Sequence, residues 1–197
     1  MVCTCVAFVV MVLYMLFDVN YFLRIFFTLC TGRLFPKKKI LDTTTVYGIC
    51  STQDLDLVLM HMNNARYLRE LDMARFYWFD VTGVYETLSK RGGTMVLGAS
   101  TTRYRKALPL FMPYKITTRL IYWEDKHFYL EHQFITLTDG FVRTVSISKQ
   151  TTVGVKVPAS ELLAELDPNI KLPEIPKDLQ LWMNSMEESS QKLRKRD

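Results

Sequence analysis

Between residues 54 and 64 the chain gathers two carboxylates, an imidazole and two carboxamides: Asp54, Asp56, His61, Asn63 and Asn64. His61 has the one side chain here whose ordinary titration lies near neutrality, so it can serve as a general base. It can equally be a hydrogen-bonded histidine that shapes the loop. Asn63 and Asn64 suit the start of a helix, where a side-chain oxygen satisfies an orphan amide; either could also position a carbonyl. Arg103, Arg105 and Lys106 form a second group at a strand end, readable as an anion-binding cluster or as an exposed basic loop. His132 sits in an otherwise apolar alternation and reads as a core histidine, while Glu131 points to the opposite face.

Some chemistries lack their residues. There is no G-x-S-x-G elbow, phosphate-binding glycine loop, G-x-G-x-x-G or H-E-x-x-H. The four cysteines, at 3, 5, 30 and 50, have neither zinc nor disulfide spacing. No metal and no cofactor are expected, and the cysteine usage suits a reducing compartment.

The elements that must position these groups follow from periodicity. Thr43 to Cys50 is rich in β-branched and aromatic residues and predicts a first strand. From Asn64 the spacing of Leu68, Leu71, Ala74, Trp78 and Phe79 is helical, with Met73, Phe76 and Tyr77 extending the apolar surface round the helix. A helix apolar on most faces must be wrapped. The helix weakens at Thr82-Gly83, resumes over Val84 to Lys90 and stops at Gly92-Gly93.

After that the period is two. Strands are expected over Thr94 to Tyr104, Tyr114 to Glu124, Phe128 to Phe134 and Phe141 to Val155, with turns at Glu124-Asp125-Lys126 and Thr138-Asp139-Gly140. Four consecutive antiparallel strands forming a meander that curls around the helix give an α+β domain. Short helices are expected near Ser160 to Leu166 and Asp178 to Glu188; the apolar stripe Leu179, Trp182, Met183 and Met186 predicts docking on the core.

The first 17 residues carry no charge, and at about 1.5 Å per residue they fall slightly short of a ~30 Å hydrocarbon core. Continuing the helix through Phe27 brings it to spanning length. Nothing basic precedes the run and large residues fill its end, so an uncleaved anchor is favoured over a signal peptide; secretion after cleavage is the alternative. Arg24, Arg33 and Lys37 to Lys39 all follow the apolar run, which places the remainder on the cytosolic side. The expected division is a transmembrane anchor over 1–29, a basic linker over 30–42, the main domain over 43–157 and a C-terminal extension over 158–197.

The formal net charge of +5 sits in the flanks: +4 over residues 33–39 and +3 over 192–197, leaving −2 over 40–191. That distribution suits a membrane lipid surface and disfavours nucleic acid. Arg194-Lys195-Arg196-Asp197 resembles a dibasic retrieval signal of the endoplasmic reticulum.

The run Asp54-Leu-Asp-Leu-Val-Leu-Met-His61-Met-Asn-Asn-Ala-Arg-Tyr67, followed by a helix containing Ala74-Arg75, resembles the signature of hotdog-fold thioesterases of the 4-hydroxybenzoyl-CoA thioesterase group. The resemblance implies an antiparallel sheet wrapped around a central helix, a homodimer with the acyl site at the protomer interface, and hydrolysis of acyl-CoA. It implies catalytic roles for Asp56, His61 and Asn64, with Asp56 as base or nucleophile and helix-start amides holding the oxyanion. Asp54, Asn63, Tyr67, Arg103, Arg105 and Lys106 would then contact substrate, the basic ones at the CoA phosphates. Family members commonly place the acid four residues before the histidine and a glycine just ahead of it. Here Asp56 lies five before His61, and Met60 replaces the glycine. The extra residue either bulges out or aims the carboxylate away; the second outcome would leave a non-catalytic acyl-binding or scaffolding protein.

Overall fold

The computed structural model describes residues 2–56, 58 and 60–194. The basic signal considered at Arg194 to Asp197 lies almost wholly outside them. The chain begins with α1 (Val2–Leu16) and α2 (Val19–Arg33), then β1 (Thr44–Ile49). A single 3-10 turn at Thr52–Asp54 leads into a two-residue hairpin, β2 (Leu55–Asp56) and β3 (His61–Met62). The central helix α3 (Asn64–Thr82) follows, and Gly83 at φ 79° turns the chain into α4 (Val84–Lys90). That left-handed turn is open to glycine without the cost a Cβ would bring. Strands β4 (Thr94–Tyr104), β5 (Pro113–Glu124), β6 (His127–Thr136) and β7 (Val142–Val153) precede α5 (Ala159–Leu166) and α6 (Lys177–Arg194).

The main sheet is antiparallel with strand order β1-β5-β6-β7-β4. Only β5, β6 and β7 form a meander. β4 crosses to the far edge and pairs with β7, which corrects the expected four-strand meander. The reason lies in its exit: residues 105–112 are too long for a hairpin and contain Pro109. Instead they run past the start of α3, where Met62 donates its amide to the Leu108 carbonyl at 2.8 Å.

α3 fills the concave face. Leu71, Ala74 and Trp78 are nearly inaccessible and pack among Tyr114, Ile116, Leu120, Phe128, Leu130 and Phe134. The same face also holds a polar seam. His132 is wholly buried, with Thr118 Oγ1 at 2.9 Å from Nδ1 and Ser148 Oγ at 2.9 Å from Nε2, as a satisfied core histidine requires. α6 covers the opposite face, where Leu179, Trp182, Met183 and Met186 meet Ile121, Tyr129 and Ile147.

At the N-terminus the expected continuous helix is broken. α1 and α2 meet at Phe17-Asp18 with a bend of 82°, and no single helix among the described residues is long and apolar enough to cross a bilayer. Asp18 is the cause: its Oδ1 accepts the Tyr21 amide at 3.2 Å and caps α2.

α2 is docked along α3. Arg24 forks onto the buried Glu70 carboxylate at 2.6 and 2.5 Å, and the Tyr114 hydroxyl donates to Glu70 Oε2 at 2.7 Å. Arg69 pairs with Asp18, and Gly32 lets α2 approach the Tyr77 ring. The stretch read as a linker from residue 30 starts inside α2, and its later part is seated too: Lys38 donates its amide to the Val81 carbonyl and Ile40 is buried in the core. Removing Arg24 strands a buried carboxylate with one neutral donor. Arg24→Ala is therefore expected to lower unfolding stability by about 1–2 kcal/mol, discounted because Arg24 is itself 42% exposed. Urea denaturation of the full chain checks this, and coupling to Glu70→Gln in a double-mutant cycle assigns the loss to the pair.

Candidate functional site

The hairpin β2–β3 sets Asp56 directly opposite His61. Facing residues of an antiparallel pair project to the same side with Cβ atoms about 5 Å apart. At the tip the Met60 amide donates to the Asp56 carbonyl at 3.0 Å. Met60 itself stands at φ 51°, the left-handed region where glycine is the comfortable residue.

Asp56 is half-buried and its Oδ1 accepts the Val58 amide at 3.0 Å. His61 Nδ1 lies 2.9 Å from the Met62 carbonyl. A carbonyl can only accept, so Nδ1 carries the proton and the neutral ring keeps its lone pair on Nε2. The crossover loop closes this side of the hairpin, with Pro109 bridged to His61.

Asn63 caps α3. Its Oδ1 accepts the Ala65 amide at 2.9 Å and its carbonyl accepts the Arg66 amide. The first-turn amide left over is that of Asn64, which has no acceptor among the described residues. A helix start with an untaken N–H is a ready anion site.

These groups converge on one cleft of about 440 Å³, lined by Asp56, His61, Asn63, Asn64, Tyr67, Tyr104, Arg105 and Lys106. Tyr67 forms its inner wall. It is 2% exposed, stacked edge-on against Tyr104 and Phe134 at 5.2 and 5.0 Å, and burial raises its phenol above the ordinary range. Arg105 and Lys106 stand exposed at the rim.

Two of the residues expected to contact substrate lie elsewhere. Asp54 is buried with Oδ2 accepting from both Ser51 N and Ser51 Oγ at 2.8 Å, a cap for the short turn; it faces a separate groove shared with α2. Arg103 is exposed on β4 and does not line the cleft.

Two residues went unread in the sequence. Tyr104 donates its hydroxyl to the Asn64 carbonyl at 3.1 Å, tying the end of β4 to the start of α3. Its place beside the basic cluster was the only available signal. Arg143 is buried, pairs with Asp139 at 2.7 Å, and its carbonyl accepts the amides of Arg105 and Lys106. The guanidinium of Arg143, that of Arg105 and the Lys106 ammonium all lie within 6 Å of the Phe141 ring centre. Arg143 therefore shapes the basic rim from below, and nothing local in the sequence announces it.

A cleft with a carboxylate facing an imidazole, a helix-start amide untaken among the described residues and a cationic rim can activate a nucleophile and hold a developing oxyanion. Comparison with known proteins gives the family. The family model described as "Thioesterase-like superfamily" matches residues 50–183. Protein THEM6 of Drosophila melanogaster is 54% identical over 188 residues, covering 95% of this chain and 96% of that protein. Among solved structures, the fold is similar to the probable thioesterase YbaW from Escherichia coli, with TM-score 0.57 and 21% identity over 62% of this chain and 94% of that one. It is also similar to 4-hydroxybenzoyl CoA thioesterase from Pseudomonas sp. strain CBS-3, with TM-score 0.54 and 19% identity over 63% and 98%. With the antiparallel sheet wrapped on α3, this hotdog-fold chain belongs to the thioesterase-like superfamily.

Proposed function

We propose that the protein hydrolyses fatty acyl-CoA thioesters at the Asp56–His61 cleft while tethered to a membrane, its domain on the cytosolic side. The observation that carries this reading is the cross-strand pairing of Asp56 with His61 beside the untaken Asn64 amide. In the reaction, Asp56 as base takes a proton from water and the hydroxide adds to the thioester carbonyl. The oxyanion rests on the α3 start, the C–S bond breaks, and the thiolate recovers the proton; as nucleophile, Asp56 would form an anhydride that the same water cleaves. Arg105 and Lys106 offer cations to the CoA phosphates. A tether favours long chains, because each buried CH₂ of an acyl tail contributes about 0.8 kcal/mol to partition into the bilayer. The positive-inside distribution and the charge-free α1 support the membrane assignment.

A homodimer belongs to this reading. β4 is bonded on one side alone, and Val96 and Leu97 on it are 44% and 45% exposed. An 11-residue edge of this kind invites pairing with a second copy. The double substitution Val96→Lys and Leu97→Lys is expected to weaken self-association at least about tenfold, or roughly 1.4 kcal/mol. Light scattering on the detergent-solubilised full chain checks it.

The second reading, acyl binding without turnover, is favoured by the hydrogen bond that draws Asp56 Oδ1 into its own loop. Full-length protein incubated with acyl-CoAs of graded length separates the two. Free CoA should be read by chromatography, since Cys5 and Cys30 are exposed and would consume thiol reagents. Release of CoA that rises with chain length supports hydrolysis; retained acyl-CoA binding without release overturns it.

A further inference from the structure

The way α2 is held decides how the domain meets a membrane. Peeling α2 from α3 to straighten the α1–α2 pair into one span would strand Glu70, which is 4% exposed and held by Arg24 and Tyr114. It would also undo the close seat of Gly32 on Tyr77 and Val81. The docked face of α2 carries Tyr21, Arg24, Thr28 and Gly32. The face turned away carries Phe22, Leu23, Phe26 and Phe27, between 44% and 63% exposed, and continues past the helix into Leu34 and Phe35.

That outward stripe has no acidic residue, and Arg33, Lys37, Lys38 and Lys39 follow it at once; Arg33 and Lys37 are partly engaged by Asp80 and Glu86, at 3.9 and 2.9 Å, while Lys38 and Lys39 stand exposed. An aromatic stripe bounded by cations matches one occupant: the headgroup–acyl boundary of an anionic bilayer. α1, charge-free and about 22 Å long, leaves α2 at 82° and is too short for a ~30 Å core.

We infer that α2 lies flat in the interfacial plane of an anionic bilayer, clamped to the domain by Arg24–Glu70, and that α1 alone dips into the hydrocarbon. The domain then rides on the lipid at a fixed orientation, with α3 parallel to the surface, and is not swung on a leash. This rests on the membrane assignment above and refines it: the anchor lies on and dips into the bilayer without crossing it.

The test uses the full chain in phosphatidylcholine–phosphatidylserine vesicles. Phe22→Trp, Phe26→Trp and Cys30→Trp are introduced singly, and the depth of each is read from quenching by lipids brominated at two acyl positions. These positions share one helix face, so a flat helix places them at the same depth within about 2 Å. A spanning helix steps them by about 6 Å each. Equal, shallow depths support the inference. Stepped depths in bound protein overturn it and leave the membrane assignment standing, whereas failure to partition into vesicles overturns both. The native tryptophans add no ambiguity, because Trp78 and Trp123 are buried in the domain core and Trp182 packs against Tyr129 on the sheet.

Discussion

Asp56→Asn is expected to lower kcat for acyl-CoA hydrolysis by about 10³-fold, close to 4 kcal/mol of barrier, with little change in acyl-CoA binding. Asparagine keeps the shape and the hydrogen bond from the Val58 amide. It removes the basicity and nucleophilicity on which the first step depends. Stability should change far less than rate, because the residue is half-buried at a two-residue hairpin and outside the hydrophobic core. Single-turnover release of CoA together with equilibrium binding checks this. An Asp56→Asn protein that hydrolyses as fast as its parent would move the chemistry away from the hairpin. His61→Gln supplies a contrast: a general base costs rate at unchanged binding, whereas a loop-shaping histidine costs binding and stability together.

Acid should destabilise the fold through His132, and the effect is large. Burial, with the Arg75 guanidinium adding to it, pushes the imidazole down to about 3 from an ordinary 6.5. Above pH 6.5 neither the folded nor the unfolded chain protonates this ring. Below 6.5 the unfolded chain takes a proton that the folded one refuses, so stability falls by about 1.4 kcal/mol per pH unit and by about 3 kcal/mol at pH 4. Between Thr118 and Ser148 the neutral ring satisfies one donor and one acceptor, and a charged ring would turn a second donor on its neighbours. Urea midpoints across pH 4–8 test it by comparison: His132→Gln costs stability at neutral pH but removes one proton from the slope below 6.5. Identical slopes in the two proteins would show that the acid sensitivity comes from elsewhere.

The central helix, its asparagine cap and its weakening at Thr82-Gly83 were legible in the sequence, and so were the bounds of the five main-sheet strands to within a residue or two. These are local properties. A helix that buries Leu71, Ala74 and Trp78 against a sheet must repeat apolar residues at three and four, and an Asn63 whose oxygen serves Ala65 acts across two residues of chain. The signature from Asp54 to Tyr67 likewise pointed to the cleft, because the hairpin and helix start that build it are contiguous in the chain.

Tertiary structure alone decided what depends on neighbours distant in sequence. Alternation assigns each strand a face but not a partner, so β4 beside β7 could not be told from β4 beside β5. Two aspartates two residues apart look alike until the fold turns Asp54 inward to cap Ser51 and sets Asp56 across from His61. Arg143 became part of the basic rim only once β7 had been laid beside the loop after β4. The apolar N-terminal run divides at Asp18, whose carboxylate caps α2, and α2 is held on the domain because Glu70, 46 residues beyond Arg24, is buried and takes Arg24 as its counter-charge. The cost of burying a carboxylate alone holds α2 against the domain, and hydropathy along the chain carries no trace of that pairing.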